Sequence, residues 1–307
     1  MLDLSHLHQP ENGSWYFQAP MGTANTRSMF EWQKPRGYTM ANILLVGNGG
    51  NGGTGIIGAN SLAGGGGGGC SGGQTNIRIP LMLLPDVLWL GLNPGNSTSA
   101  SFVSIAPDTS TNVPNTLVAA SYGATGGNGT SVPAGGAGGV AGTAITAGSM
   151  PLGWVFRTQV LQGQVGGAGG STGNGINIGV NSTGLLVNGG GGAGGLPAAA
   201  TGGNAAGACP LGTGVFPQVQ PIGGSSATTP PQSGWSLGQP IPKLLYLFGG
   251  AGGGSTHGSA TGAGLVQSSG GNGAPGCGGG GMGAALTGSS AGAVGLGGPA
   301  WCWITCW

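Results

Sequence analysis

The stretch Ile43-Leu-Leu-Val-Gly-Asn-Gly-Gly-Asn-Gly52, which continues into Gly64–Gly69 and Cys70, decides how this chain folds. A short apolar strand leads into glycine-rich sequence that is too long for a turn and lacks the side chains that favour a helix. The strand Leu244–Phe248, followed by the glycine-rich residues 249–254, repeats the arrangement. The fold must therefore be built largely from backbone.

Composition first raises the question of disorder. Glycine supplies 77 of 307 residues and charged residues make up 4%, against usual shares of roughly 7% and roughly 25%. Glycine-rich chains are often disordered, but disordered chains are usually hydrophilic and highly charged. The mean hydropathy of this chain is +0.17. The sequence therefore predicts packed glycine segments.

Packing so many glycines has a large conformational cost. A glycine held in one conformation costs about 0.5–1 kcal/mol more than an alanine, and a backbone hydrogen bond contributes only about 1 kcal/mol net. We therefore expect dense backbone pairing and further burial in an assembly with copies of this chain. The scarcity of charge supports this expectation, because surface charge protects proteins against self-association.

Charge and hydropathy exclude two classes of partner. The net charge is +1, so the chain lacks the basic surface typical of nucleic-acid binding. No run of about 18 apolar residues occurs, which predicts no membrane span. Met1 to His8 show neither the basic nor the apolar region of a secretory signal, so we expect synthesis in a cytoplasm without a signal peptide.

Residues 1–42 differ in composition from the rest and are predicted to form an extended N-terminal arm. They hold a cluster of aromatic side chains, Trp15, Tyr16, Phe17 and Trp32. Aromatic residues are enriched at interface hot spots, so these four are candidate anchors on a partner. The alternative is that they cover the end of the glycine-rich body.

Residues 43–307 are predicted to form the glycine-rich body, with non-glycine inserts near residues 74–122, 150–165 and 210–248. Alternation of polar and apolar residues predicts strands in and beside these inserts. The Pro-rich span 210–242 is typical of an extended loop. The predicted strands are Phe30–Trp32, Met40–Val46, Gln74–Pro80, Val87–Leu90, Phe102–Ile105, Thr116–Ala120 and Ile176–Val180, and Lys34–Gly37 is the turn between the first two.

Three backbone arrangements are candidates for the glycine segments. Collagen requires glycine at every third position, which the residues from Gly249 to His257 do not provide. Silk-like sheets would alternate glycine with alanine or serine, and these segments do not. A polyglycine II helix has three residues per turn and no internal hydrogen bonds, so it can bond to neighbours side by side. The sequence thus predicts an all-β or irregular fold that combines β-strands with packed polyglycine II helices, with essentially no α-helix and nearly pure glycine in the innermost helices.

The apparent catalytic motifs fail on their context. Gly47–Gly52 matches G-x-G-x-x-G, but a dinucleotide site requires a helix after the loop and an acidic residue about 20 positions on. Glycine follows instead, and the next acidic residue is Asp86. Cys302 and Cys306 lack nearby His or Cys partners for zinc. We therefore predict a protein that is not an enzyme and that has no cofactor and no metal.

The stretch Trp301-Cys-Trp-Ile-Thr-Cys-Trp307 is the sharpest local signal. As a strand it places Trp301, Trp303 and Trp307 on one face and both cysteines on the other. Flat rings stack on sugars, so the tryptophans are a candidate ligand platform; a buried strand and a subunit contact are the alternatives. An exposed apolar strand promotes aggregation, which favours burial or an interface.

The run Phe30-Glu-Trp-Gln-Lys-Pro-Arg-Gly-Tyr-Thr-Met-Ala-Asn-Ile-Leu-Leu-Val-Gly47, continuing into Gly64–Gly69, carries a resemblance. It is similar to glycine-rich virion structural proteins of tailed phages, which open with an aromatic residue, Lys-Pro-X-Gly, a β-strand and glycine runs. Gln74–Asp86 also resembles that group, and the similarity is best over residues 30–95. More distantly, the body resembles phage tail-fibre adhesins whose tips pack polyglycine II helices into a sandwich.

The resemblance implies a non-enzymatic structural protein of a phage virion, in the tail, a fibre or the capsid exterior. Its partners would be copies of itself and other virion proteins. One alternative is a receptor-binding adhesin that recognises a host-surface glycan. Another is a cellular glycine-rich extracellular filament or an ice-binding protein, although an ice binder should show regularly spaced Thr or Ser on one flat face.

Overall fold

A computed structural model describes the strands and most of the glycine segments. Within it the protein is essentially all-β, as predicted, with two antiparallel sheets and one short parallel pair of strands. The helical structure of the described residues is limited to a 3₁₀ turn at Leu81–Leu83. The described residues are 13–21, 26–58, 63–107, 114–130, 150–153, 155–171, 175–178, 186–195, 250, 252, 267, 269–287, 290 and 292–307.

The strands of the described residues are numbered in chain order. They are β1 (Ser14–Gln18), β2 (Ser28–Gln33), β3 (Met40–Val46), β4 (Ile57–Gly58), β5 (Gln74–Pro80), β6 (Val87–Leu92), β7 (Ser101–Ser104), β8 (Thr116–Ala120), β9 (Arg157–Leu161), β10 (Ala285–Leu286) and β11 (Trp301–Cys306). The first sheet has the order β1-β11-β3-β5-β9, and the second has the order β2-β6-β7-β8. Strands β4 and β10 form the parallel pair.

Most predicted strands are confirmed, three of them with the predicted bounds. Strand β3 spans Met40–Val46, β5 spans Gln74–Pro80 and β8 spans Thr116–Ala120. In β5 the alternation has the expected cause, because Ile77 and Ile79 are buried while Arg78 is exposed. Successive side chains of a strand point to opposite faces, so a sheet with one covered face selects this pattern.

The predicted strand Ile176–Val180 is wrong for its described residues. Ile176 donates a backbone hydrogen bond to Ala168 and accepts one from Gly192, so it lies among glycine segments and joins neither sheet. The predicted strand Leu244–Phe248 and the Pro-rich span 210–242 lie outside the described residues.

The two sheets pack face to face around the main hydrophobic core. Strand β3 places Ala41, Ile43 and Leu45 between the sheets, whereas Leu44 and Val46 lie on its other face in a smaller cluster. The largest side chains that are fully buried in the main core are Trp32, Phe102, Ile43, Leu45, Ile77, Ile79, Leu88, Leu90, Leu92 and Met150.

The predicted N-terminal arm is corrected by this arrangement. Strand β1 pairs with β11 in the first sheet, and β2 pairs with β6 in the second. Residues 14–42 are therefore part of the sandwich, because their apolar side chains are needed between its sheets. The predicted strand, turn and strand around Lys34–Gly37 does exist, but its two strands belong to different sheets. Residues 1–12 lie outside the described residues.

A glycine block extends from one end of the sandwich. We define it as residues 47–56, 64–73, 121–130, 163–171, 188–195, 270–287 and 292–300. The chain passes directly from β3 into the segment 47–56 and from the segment 64–73 into β5. The end of the block at the sandwich is called its base, and the opposite end its tip.

Segment 64–73 lies inside the block. Its successive N–H groups donate in turn to three neighbouring segments, so each neighbour accepts a hydrogen bond from every third residue. Two further segments, 47–56 and 190–193, donate to its carbonyl oxygens. The donors are Gly64, Gly67, Cys70 and Gly73 to segment 121–130; Gly65, Gly68 and Ser71 to segment 164–170; and Gly66, Gly69 and Gly72 to segment 276–282.

Segment 277–285 is enclosed in the same manner. Its successive N–H groups donate in turn to segments 271–274, 188–194 and 50–56, so that every third N–H group bonds to the same neighbour. Its carbonyl oxygens accept from segments 64–73 and 295–298 and from Gly250. This segment therefore has backbone bonds to neighbours on every side.

The hydrogen-bond period of three residues is the one that a polyglycine II helix would have; the helix type itself stays a prediction. The two enclosed segments contain the long runs Gly64–Gly69 and Gly278–Gly281. A methyl group added at Gly66 would overlap the carbonyl oxygen of Gly53. Only glycine permits backbones to approach this closely.

Outer segments carry side chains at every third position. In segment 47–56 these are Asn48, Asn51 and Thr54, with glycine at most of the other positions. Segment 121–130 places the partly or fully exposed Tyr122, Thr125 and Asn128 in the same way. A three-residue backbone repeat returns each third side chain to one face, so the pattern in the sequence and the hydrogen-bond period have a common cause.

Candidate interaction surface

Among the described residues, turns between strands form the end of the sandwich opposite the glycine block. We call it the sandwich pole and define it by the turns 34–39 and 81–86 and by residues 151–153 and 155–156, together with Trp307. Backbone hydrogen bonds join these parts to one another and to the strands: Lys34 donates to Asp86 at 2.8 Å, Leu81 to Thr39 at 2.8 Å, and Thr39 to Trp307 at 2.9 Å. Leu152 donates to Thr116, the first residue of β8, at 3.4 Å.

The sequence explains both main turns of the pole. Lys34-Pro-Arg-Gly37 is turn sequence, and Gly37 has a φ of 88°, which a residue with a side chain rarely adopts. In the other turn, Leu84 donates to the carbonyl of Leu81 at 3.0 Å and closes a single 3₁₀ turn. Such a short turn cannot bury all its side chains, so Leu81 packs in the core while Met82 and Leu83 face solvent.

A groove of about 420 Å³ lies between the two turns. Its walls combine cationic, aromatic and apolar groups. The lining residues are Lys34, Pro35, Arg36, Gly37, Tyr38, Thr39, Leu81 and Met82.

The charged groups of the groove are arranged asymmetrically. Lys34 donates to the carbonyl of Leu84 at 2.8 Å and forms an ion pair with Asp86 at 3.2 Å. Arg36 is exposed at the rim. By contrast, Arg27 near the base of the block serves the fold: its guanidinium lies 4.9 Å from the centre of the Phe102 ring. The groove therefore offers an exposed guanidinium and an ion-paired ammonium.

Of the seven aromatic candidates, three are buried inside this chain. Trp301 is 0% exposed, Trp32 is 1% exposed and Phe17 is 6% exposed. Trp32 meets Trp15 edge to face, with ring centres 5.7 Å apart. The prediction that these three belong to a partner or ligand platform is corrected, because the packing of the sheets and the block already covers them.

Three further candidates are half-buried. The Tyr16 ring lies 5.8 Å from that of Trp301, and its hydroxyl donates to Gln18 Oε1 at 2.9 Å. Burial, with a smaller effect from Cys302, raises the pKa of Tyr16 well above its usual value. Trp303 Nε1 donates to Ser14 Oγ at 2.6 Å. The polar atoms of Tyr16 and Trp303 are thus engaged within the first sheet; the third half-buried candidate is Trp15.

Trp307 is the candidate that the structure leaves on a free surface, with 53% of its area exposed. It follows β11 directly and lies at the pole. Sequence reasoning missed its neighbours there, Met82, Leu83 and Arg36. A signal was present, because Leu81-Met-Leu-Leu-Pro85 is an apolar run directly after a strand that ends in proline, too short to be a further strand.

The thiols of β11 are suited to packing. Burial raises the pKa of Cys306 to about 11 and raises that of Cys302 further. Both therefore remain protonated near neutral pH, and a protonated thiol is a poor nucleophile. Within the described residues, no three His, Cys, Asp or Glu side chains lie close enough together to hold a metal ion.

Comparison with known proteins matches this chain to no family model, and no curated protein is significantly similar to it. In the described part of the chain, no helix has the length and apolar character needed to cross a membrane.

Proposed function

We propose that this protein is a non-enzymatic structural component of a phage virion, in which the sandwich is the mounting part and the glycine block is the projecting part. The observation that carries the proposal is the enclosure of segment 64–73, whose N–H groups all bond to three other segments. Such a lattice ties segment 64–73 to its neighbours through paired backbone along its whole length, which supports a mechanical role.

The connection between the two parts supports the same function. Strands β3, β5, β8 and β11 adjoin block segments without a linker. The sandwich therefore fixes the orientation of the glycine block, and a force on the block is transmitted directly to the sandwich. The resemblance of residues 30–95 to glycine-rich phage virion proteins agrees with this division. The low charge of the exposed block surface suits assembly with further copies.

The glycan-binding alternative has weaker support. A platform would require several tryptophan rings on one open face, whereas Trp301 is buried and Trp303 is half-buried. Trp307 alone among the three is mostly exposed.

Mass spectrometry of density-purified virus particles tests the proposal. We expect peptides of this chain in intact particles, at a constant ratio to the major structural proteins across the gradient. Recovery of the chain only from the soluble fraction of infected cells would overturn the virion role.

A further inference from the structure

The sandwich pole concentrates exposed apolar side chains. Eleven large apolar residues of the described chain are notably exposed, and six of them lie on the pole or on the neighbouring β7–β8 turn. Met82 is 87% exposed and Val155 is 81% exposed. Exposed apolar groups that cluster in this way mark interaction sites. The six are Met82, Leu83, Ile105, Leu152, Val155 and Trp307.

The same end carries most of the cationic groups of the described chain. Arg36 and Arg78 are exposed, and Lys34 lines the groove. Lys34 is balanced by its ion pair with Asp86, so the excess positive charge comes from Arg36 and Arg78. The pole is therefore apolar with a cationic excess, whereas the glycine block is almost uncharged.

We propose that the sandwich pole binds an acidic segment of another protein, anchored by a large apolar side chain in the groove between Tyr38 and Met82. The inference rests on the proposed function, since the partner would be the component on which the sandwich is mounted. Arg36 supplies a planar pair of donors that fits a carboxylate. Met82 supplies an adaptable apolar contact of the kind used at binding surfaces.

Other occupants fit these observations less well. A second copy offers few acidic groups, because the whole chain has five Asp and Glu residues, and of the two that the structure describes Asp86 is already paired. Nucleic acid binding depends on the neutralisation of many phosphates, and the pole provides few cations. An acidic protein segment with a large apolar residue complements both the cationic groups and the exposed apolar side chains of the pole.

The probe is a display library of random short peptides selected on the immobilised full-length chain. We expect the selected peptides to combine Asp or Glu with a large apolar residue. Their affinity, measured by fluorescence polarisation, should fall at least about tenfold in Met82→Ser and in Arg36→Gln. It should also weaken between about 50 and about 300 mM sodium chloride.

Met21→Ser is the matched control, because Met21 is 55% exposed but lies at the base end of the sandwich. We expect this variant to bind the peptides as the native chain does. Selection of basic or uncharged peptides, or equal binding by Met82→Ser, would overturn the proposal. So would preferential binding to phosphatidylserine vesicles, or dimerisation that Met82→Ser abolishes, since each assigns the pole to another occupant.

This test is independent of the test for the virion role. Peptide binding at the pole with no chain in purified particles would overturn the virion role alone. If the chain is present in purified particles but its pole selects no acidic peptide, the proposed binding at the pole is overturned and the virion role is not.

Discussion

Gly278 lies so close to the backbone of Gly69 that a methyl group on its Cα would overlap the Gly69 carbonyl oxygen. The two residues belong to the two enclosed segments, which are also joined by a hydrogen bond of 2.8 Å from Gly69 to Gly279. The long glycine runs are thus a requirement of backbone contact, and this requirement is testable residue by residue.

Gly278→Ala should destabilise the protein by about 3 kcal/mol, because the enclosing backbones cannot move apart without breaking hydrogen bonds on other sides. The measurement is the free energy of unfolding from urea titration. Gly58→Ala is the control: its added methyl would meet the side chains of Ala63 at 3.4 Å and Ile56 at 3.7 Å, both at ordinary contact distance, and we expect a change below about 0.5 kcal/mol. Equal effects of the two substitutions would contradict the described packing.

Hydrogen exchange should distinguish the enclosed segments from the outer ones. Every N–H group of residues 64–73 has a backbone acceptor, and amides of this kind exchange only through large-scale opening. In segment 121–130, by comparison, Gly123, Gly126 and Gly129 donate to segment 47–56 while the exposed Thr125 has no described acceptor for its N–H group. We expect mass spectrometry to find the slowest exchange in peptides covering 64–73 and 277–285. Rapid exchange there would exclude a packed block.

The strands were largely predictable from the sequence, for a physical reason. In β5 and β11 one face is covered by the second sheet, so alternation along each strand marks the buried side chains. Cys302 and Ile304 indeed lie in the main core, while Trp301 lies in the cluster on the other face. The period-three side chains of the block were equally visible, because its backbone repeat is three.

The candidate site was less predictable. Trp301, Trp32 and Phe17 are large and aromatic, which is typical both of interfaces and of cores, and their burial depends on which strands pair. Strand β1 pairs with β11, although the two lie near opposite ends of the sequence. No local sequence pattern predicts such a contact. Conversely, Met82 is exposed because its 3₁₀ turn is too short to cover it, and apolar character alone suggests the opposite.

Alkaline pH should weaken the fold through β11. Burial raises the pKa of Cys306 from 9.0 to about 11, so the folded state favours the neutral thiol. Below about pH 9 the Cys306 thiol is protonated in both the folded and the unfolded state, so its burial contributes fully to stability. As the pH rises towards 11 the thiol loses its proton first in the unfolded state, and the free energy of unfolding falls. We expect the free energy of unfolding of Cys306→Ala to fall less across this interval. Parallel profiles for the two proteins would contradict the assignment.

Trp301, the first residue of β11, and Trp307, the residue directly after β11, should differ sharply when each is truncated. Trp301 is fully buried against Tyr16 and the block, so Trp301→Ala should cost about 3–5 kcal/mol, as large core truncations do. Trp307 is 53% exposed and supports its neighbours through its backbone carbonyl, which alanine retains. Trp307→Ala should therefore change the free energy of unfolding by less than about 0.5 kcal/mol. Urea titration followed by circular dichroism measures both free energies of unfolding. A large loss in Trp307→Ala together with a small loss in Trp301→Ala would contradict the described burial of Trp301 and exposure of Trp307.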